Sequence, residues 1–315
     1  MLDSQLFLLT RIQVITRIVL IGGLGIALIA QRMLPHSTNI QMPLAIAALI
    51  VGIPHGAVDH LVAVPKLMSL KMAVFIATYL FVAGLALWFI LAYPVLGFQL
   101  IVLMSAAHFG VGDASFYAEL FQRSTNAKFP KLWFAIAAGL TPVVLPLVSR
   151  HTTSALNMVN PVLIDWAGSH SRSLFIGVIV LDILVLVMLA MHKCFAPMID
   201  LGILMTLALT ISPLVAFALY FGLWHAIRHT VRLTLDYGPS VAQHELARPW
   251  QSFWLSVRAG LPAVALVSIF TVSILVANHG SLSKNLLWYL LVVIWALTVP
   301  HMALTARADT RALKA

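Results

Sequence analysis

Residues 219–236 read LYFGLWHAIRHTVRLTLD, and the fold turns on how this stretch is understood. It lies near the end of an apolar run that starts around Leu201, and it carries His225 and His229 four residues apart. On a helix, positions four apart lie one above the other on a single face, so two imidazoles so spaced can bind one metal ion. Imidazole is costly in hydrocarbon unless it is paired or coordinates something. Three further apolar segments hold a histidine at depth: His55 in GIPHGAVDH, His108 in SAAHFGVGD and His301 in TVPHMAL. The expectation is that several of these rings meet around one metal inside a membrane.

The composition points the same way. Of the 315 residues, 61% are hydrophobic and 9% charged, with a mean hydropathy of +1.00. A soluble domain carries roughly 25% charged residues. Several segments run about 20 residues without a charge, the length a helix needs to cross a ~30 Å hydrocarbon core. Strand-type alternation is absent, which excludes a β-barrel. The fold class is therefore all-α, a polytopic transmembrane helix bundle of eight to ten spans, with one integral membrane domain over residues 1–315.

Helices are expected near 12–31, 41–65, 71–92, 95–121, 131–149, 173–192, 213–236, 255–277 and 285–307. Residues 199–211 are apolar but short, and form either a separate half-helix before Pro213 or the start of one broken helix. The N-terminus, MLDSQLFLLTRIQ, has an acid and no basic leader, so it reads as a retained first helix rather than a cleaved signal peptide. The basic residues divide almost equally between the two sides and assign no orientation. A formal charge of +9 suits loops facing anionic lipid, and the scatter of those charges through short loops argues against nucleic-acid binding. The single cysteine, Cys194, excludes an internal disulfide and any Cys-based zinc or iron–sulfur site.

The twelve histidines separate by position. His36, His151, His170, His192, His244 and His279 fall in expected loops or at helix ends; His55, His60, His108, His225, His229 and His301 fall within spans. His55, His108, His225 and His301 lie about twelve to sixteen residues into their helices, near mid-membrane at 1.5 Å per residue. A lone buried histidine is more often a hydrogen-bonding partner than a ligand, but six in so apolar a chain favour a metal. Asp59, four residues after His55, and Asp113, five after His108, are candidates for the outer shell, where a carboxylate accepts the distal ring N–H of a ligand. His60 points well away from His55, as a five-residue step rotates it about 140° further round the helix, and reads as structural or pocket-lining. Asp182 is isolated in an apolar run and requires a partner the sequence does not name. Phe109, Tyr220, Phe221 and Trp224 adjoin the histidines and suit an apolar pocket. Pro54, Pro213 and Pro300 precede ligand candidates and disturb helical hydrogen bonding, which opens room near them.

An all-imidazole site without thiolate suits iron, copper or zinc. HExxH is absent, since Ala226 follows His225, so a zinc protease is disfavoured. One HxxxH pair is too few for the histidine boxes of a di-iron desaturase, and a mononuclear site fits better.

The blocks GIPHGAVDH (52–60), HFGVGD (108–113), WHAIRH (224–229) and VPHM (299–302) resemble those of the Brp/Blh family of membrane carotenoid dioxygenases, in the same order and across nearly the whole chain. The resemblance implies cleavage of β-carotene at its central double bond by O₂ to give two molecules of all-trans-retinal. It also implies non-haem Fe(II) held at the positions of His55, His108, His225 and His229, with His301 in the outer shell or pocket. It further implies a bilayer location (the cell membrane in a prokaryote) and a functional link to a retinal-binding rhodopsin. The helix ahead of the PHG block departs from the family picture and bears on orientation only.

Two other classes remain open on the residues alone. One is a membrane-embedded, metal-dependent lipid hydroxylase or isomerase; the other is a non-catalytic carotenoid or haem carrier or a transporter. No lysine lies inside a span where it can form a retinal Schiff base, so an opsin-like photoreceptor is disfavoured.

Overall fold

The computed structural model describes residues 1–33, 38–63, 69–124, 128–278 and 282–314, apart from the side chains at 38–40, 59 and 282–284. These residues form α1 (Leu2–Met33), α2 (Thr38–Gly56), α3 (Asp59–Ala63), α4 (Leu70–Ala92), α5 (Pro94–Ser124) and α6 (Lys131–Leu147). There follow α7 (Thr152–Val159), α8 (Ser171–Met191), α9 (Phe195–Thr210), α10 (Pro213–Tyr220), α11 (Ala226–Leu233), α12 (Gly238–Glu245), α13 (Pro249–Ala277) and α14 (Leu282–Lys314). A π-helical turn, Phe221–His225, joins α10 to α11. The chain is a polytopic helix bundle, with no strand among the described residues.

Among the described residues, seven helices are long and apolar enough to cross a membrane, or eight if α6 and α7, bent by 84°, count as one broken span. The upper count meets the eight to ten expected from sequence, and of the two readings of the apolar stretch before Pro213 the structure has the separate short helix. Residues 195–210 form a helix of only 16 residues, too short to cross at 1.5 Å per residue. Residues 213–233 are interrupted by the π turn. Another difference is at the N-terminus, where α1 begins at Leu2 rather than near residue 12. Its first turns are ordered by packing: Leu8, Leu9 and Ile12 are buried against Phe116, Tyr117, Phe134 and Val231.

The bundle surface carries its apolar side chains outward. Leu80, Phe81 and Trp88 on α4, Ile183 and Leu184 on α8, and Leu266 and Ile269 on α13 are all exposed, as lipid-facing positions are. Inside, α5 and α6 approach so closely that a Cβ on Gly110 would lie 1.8 Å from the Ala135 carbonyl oxygen, and one on Gly139 would lie 1.9 Å from that of Ala106. Small residues at such contacts let backbones meet where apolar burial alone gives little drive. This contact fixes the part of α5 that carries His108.

Three basic residues that the sequence reading counted to the two sides of the membrane are inside. Arg17, Arg228 and Arg232 project into the bundle. The Arg228 guanidinium donates to Asp200 at 2.7 Å and to the Thr16 hydroxyl at 3.1 Å. Arg17 reaches the same carboxylate at 2.5 Å, and the Tyr117 hydroxyl donates to it at 2.5 Å. Arg232 forms a two-bond contact with Glu119, both 3.1 Å, and an ion pair with Asp309 at 2.7 Å. A charge removed from water persists only when paired and hydrogen-bonded, and this layer meets that condition. Asp182 takes Thr141 as its partner, with both carboxylate oxygens 2.8 and 2.9 Å from the hydroxyl.

Candidate metal centre

Four separate helical segments deliver histidines to one place. His55 sits in the last turn of α2, just before the helix is interrupted by a turn at Ala57–Val58. The helix expected to run through 65 stops at Gly56, and α3 restarts at Asp59. The Nδ1 of His55 is hydrogen-bonded to the Gly52 carbonyl. A carbonyl only accepts, so Nδ1 bears the proton and Nε2 is left with its lone pair. Ligating histidines commonly donate their other ring N–H to a carbonyl or carboxylate in this way.

His225 closes the π turn, in which the Ala226 N–H bonds to the Phe221 carbonyl five residues back. A π turn holds more residues than an α turn and so re-aims every side chain after it; such turns recur at functional sites. The His225 and His229 rings lie 5.9 Å apart and nearly parallel, at 26°. His108 projects from the middle of α5, and His301 follows the helix-internal Pro300 in α14.

The rings converge. His55 lies 5.2 Å from His225, 5.1 Å from His229 and 5.5 Å from His301, centroid to centroid. His108 lies 5.2 Å from His225, 6.0 Å from His229 and 5.0 Å from His301. His229 and His301 are 5.4 Å apart. Rings that share one ion through nitrogens about 2.1 Å from it have centroids roughly 4.5–6.5 Å apart. All five are buried, between 2% and 8% exposed. One ring nitrogen from each of His55, His108 and His301 falls within 4.8 Å of the other two, a group that could hold a metal ion.

The donor set fits a metal. His108 Nε2, His225 Nε2 and both nitrogens of His229 are buried without a hydrogen-bonding partner. Buried polar atoms left so are costly, and coordination removes the cost. With imidazoles and no thiolate, the set suits iron, copper or zinc.

The other sequence candidates fall into three groups. Phe109 and Phe221 flank the cluster: Phe109 is 4.3 Å from His225, and Phe221 is 5.6 Å from His55. The Phe221 ring occupies the space a side chain at position 52 would need, since a Cβ on Gly52 would lie 1.9 Å from its Cε1. Tyr220 and Trp224 instead turn their polar atoms to Asp113, the hydroxyl at 3.3 Å and the indole N–H at 3.2 Å. Trp224 is fully buried beneath the Arg228 guanidinium, 3.4 Å from ring centre to charge, so it belongs to the ionic layer. Asp113 accordingly meets Tyr220, Trp224 and Arg228, the last at 3.7 Å and beyond hydrogen-bond reach, in place of the imidazole suggested by sequence. His60 lies apart from the cluster, its Nδ1 donating to the Ala57 carbonyl at 2.9 Å. The Asp59 side chain is outside the described residues.

Sequence reasoning missed the layer of Arg17, Asp200, Arg228, Glu119 and Arg232 behind the histidines. Its signal was present: ionisable residues within apolar runs are rare and call for partners.

Comparison with known proteins joins these observations. The family model described as beta-carotene 15,15'-dioxygenase matches residues 46–308, a range that contains all five clustered histidines. The chain is 26% identical over 320 residues to a protein of Halobacterium salinarum named probable beta-carotene 15,15'-dioxygenase Blh, with 91% of each chain covered. No solved structure matches the chain.

Proposed function

The chain belongs to the beta-carotene 15,15'-dioxygenase family, and from that premise we propose that it cleaves β-carotene at its central double bond with O₂ to give two molecules of all-trans-retinal. One O₂ per β-carotene balances the two aldehyde oxygens. The metal assigned is Fe(II), held by His55, His108, His225 and His229. When bound, the ferrous ion supplies the activation of O₂ that a closed-shell polyene cannot provide by itself.

The observation that carries this reading is the meeting of imidazoles from α2, α5, the π turn with α11, and α14 in one buried cluster within the family-matched residues. The chain's own groups have complementary tasks. The hydrogen bond from His55 Nδ1 to Gly52 sets the tautomer that presents Nε2. Phe109 and Phe221 cover the cluster with apolar rings, which exclude water and accept a hydrocarbon substrate. Asp113 occupies the polar atoms of Tyr220 and Trp224, so neither competes as a donor at the site. No acid–base group is required, because the substrate has no proton to move in the overall reaction.

A hydrocarbon that dissolves in the bilayer reaches a mid-membrane site without entering water. The apolar aldehyde product would pass to a protein that binds retinal through a lysine amine, and a rhodopsin in the same membrane is the partner this reading names. For a prokaryotic source the membrane is the cell membrane. Expression in cells that accumulate β-carotene tests the proposal: loss of orange colour with appearance of retinal supports it. Unchanged carotene in the presence of correctly inserted, iron-loaded protein refutes it.

A further inference from the structure

We propose that His301 is a fifth ligand of the metal, not a residue behind the ligands; the inference rests on the ferrous site assigned above. An imidazole that supports a ligand from behind adjoins one ligand and lies farther from the ion. His301 adjoins three: its ring is 5.0 Å from His108, 5.4 Å from His229 and 5.5 Å from His55. It faces all three edge-on, at 79°, 69° and 88°. Its ligating nitrogen and those of His55 and His108 form a group within 4.8 Å. Three nitrogens spaced evenly around one ion at ~2.1 Å stand about 3.6 Å apart, so ring movements of at most about 0.7 Å bring all three onto one ion.

The position of His301 in its helix agrees. Pro300 removes a backbone N–H inside α14 and crowds the preceding turn, a local disturbance that helps to aim the next side chain. The His301 ring is 4% exposed, as buried as the imidazoles around it. Five nitrogen donors leave a six-coordinate ion one open position, whereas four leave two. The proposal therefore limits the site to a single exogenous ligand, with the carotenoid held only by its shape.

X-ray absorption on the full-length protein, purified in detergent and loaded with ferrous iron, counts imidazole donors directly. Five in the wild type and four in His301→Ala, with five partly recovered on adding free imidazole, is the expected result. Iron affinity in His301→Ala falls by at least tenfold. A wild-type spectrum with four or fewer imidazoles overturns the proposal, as does an unchanged count in His301→Ala. His301→Gln keeps an amide of similar reach where the alanine variant does not fold, and it too must lose one imidazole from the count. Failure of the ferrous reading itself looks different: the wild type binds no iron, or His225→Ala binds it as the wild type does.

Discussion

Arg228 and Asp200 meet at 2.7 Å in the interior of the bundle, with side chains only 2% and 1% exposed. Arg228 lies between His225 and His229 in sequence but projects away from them, so the pair ties the back of α11 to α9 while the front presents imidazoles. Removing one partner of a buried, hydrogen-bonded ion pair strands the other, which costs about 3–5 kcal/mol. Asp200→Ala strands two arginines at once, since Arg17 shares the carboxylate. It is therefore expected to lower the melting temperature in detergent more than Arg17→Ala does; equal or smaller loss would show the layer to be dispensable.

His225→Ala and His229→Ala are expected to reduce retinal formation at least a hundredfold while the protein still inserts. Retinal per unit of membrane-inserted protein is the measurement. His60→Ala, at a ring outside the cluster, is expected to keep activity within about threefold.

Chelation should remove activity reversibly. Treatment of the purified protein with a ferrous chelator is expected to stop O₂ uptake on β-carotene, and ferrous iron, not zinc, is expected to restore it. Full activity after complete chelation, verified by metal analysis, contradicts a ferrous site.

Gly52 and Phe221 form a steric pair. The added Cβ of Gly52→Ala would fall 1.9 Å from Phe221 Cε1, so the ring must leave its place beside His55. Overpacking of this kind costs about 1–3 kcal/mol. Activity and stability should both fall in Gly52→Ala, and Phe221→Leu in the same chain should recover part of each. A double-mutant cycle measures the coupling; strictly additive effects would mean the two positions do not compete.

His244, outside the spans on α12, predicts a pH dependence. It lies buried between the hydroxyls of Ser4 and Thr234, each 3.0 Å from a ring nitrogen. Burial, then the positive N-terminus and Arg123, hold its imidazole below the ordinary range. The unfolded chain takes up a proton at this residue near the usual value of about 6.5, and the folded chain resists it. Stability from this residue is thus present above about pH 6.5 and lost as pH falls below it. The wild type should lose more melting temperature between pH 7.5 and 5.5 than His244→Gln, in which the amide keeps both hydroxyl contacts without a charge.

Legibility in the sequence followed the kind of information involved. Depth along a helix is counted in residues, so the sequence alone places His55, His108, His225 and His301 at one level. Direction around a helix depends on unbroken geometry, and here the geometry breaks. Helix ends moved too: α2 stops at Gly56, and the apolar stretch read at 199–211 is a short helix of its own, Phe195–Thr210.

The apolar composition and the spacing of the histidines by themselves determined a membrane helix bundle with imidazoles at a common depth, because hydrocarbon admits little but helices and makes each buried ring conspicuous. Only the tertiary structure decided which rings face one another. The close α5–α6 backbone contact sets His108, the pairing of Arg228 with Asp200 holds the back of α11, and the packing of α14 against α5 and α2 brings His301 in among the others. Each of these is settled by contacts between segments tens to hundreds of residues apart, where side-chain volume and charge pairing act and local periodicity is silent.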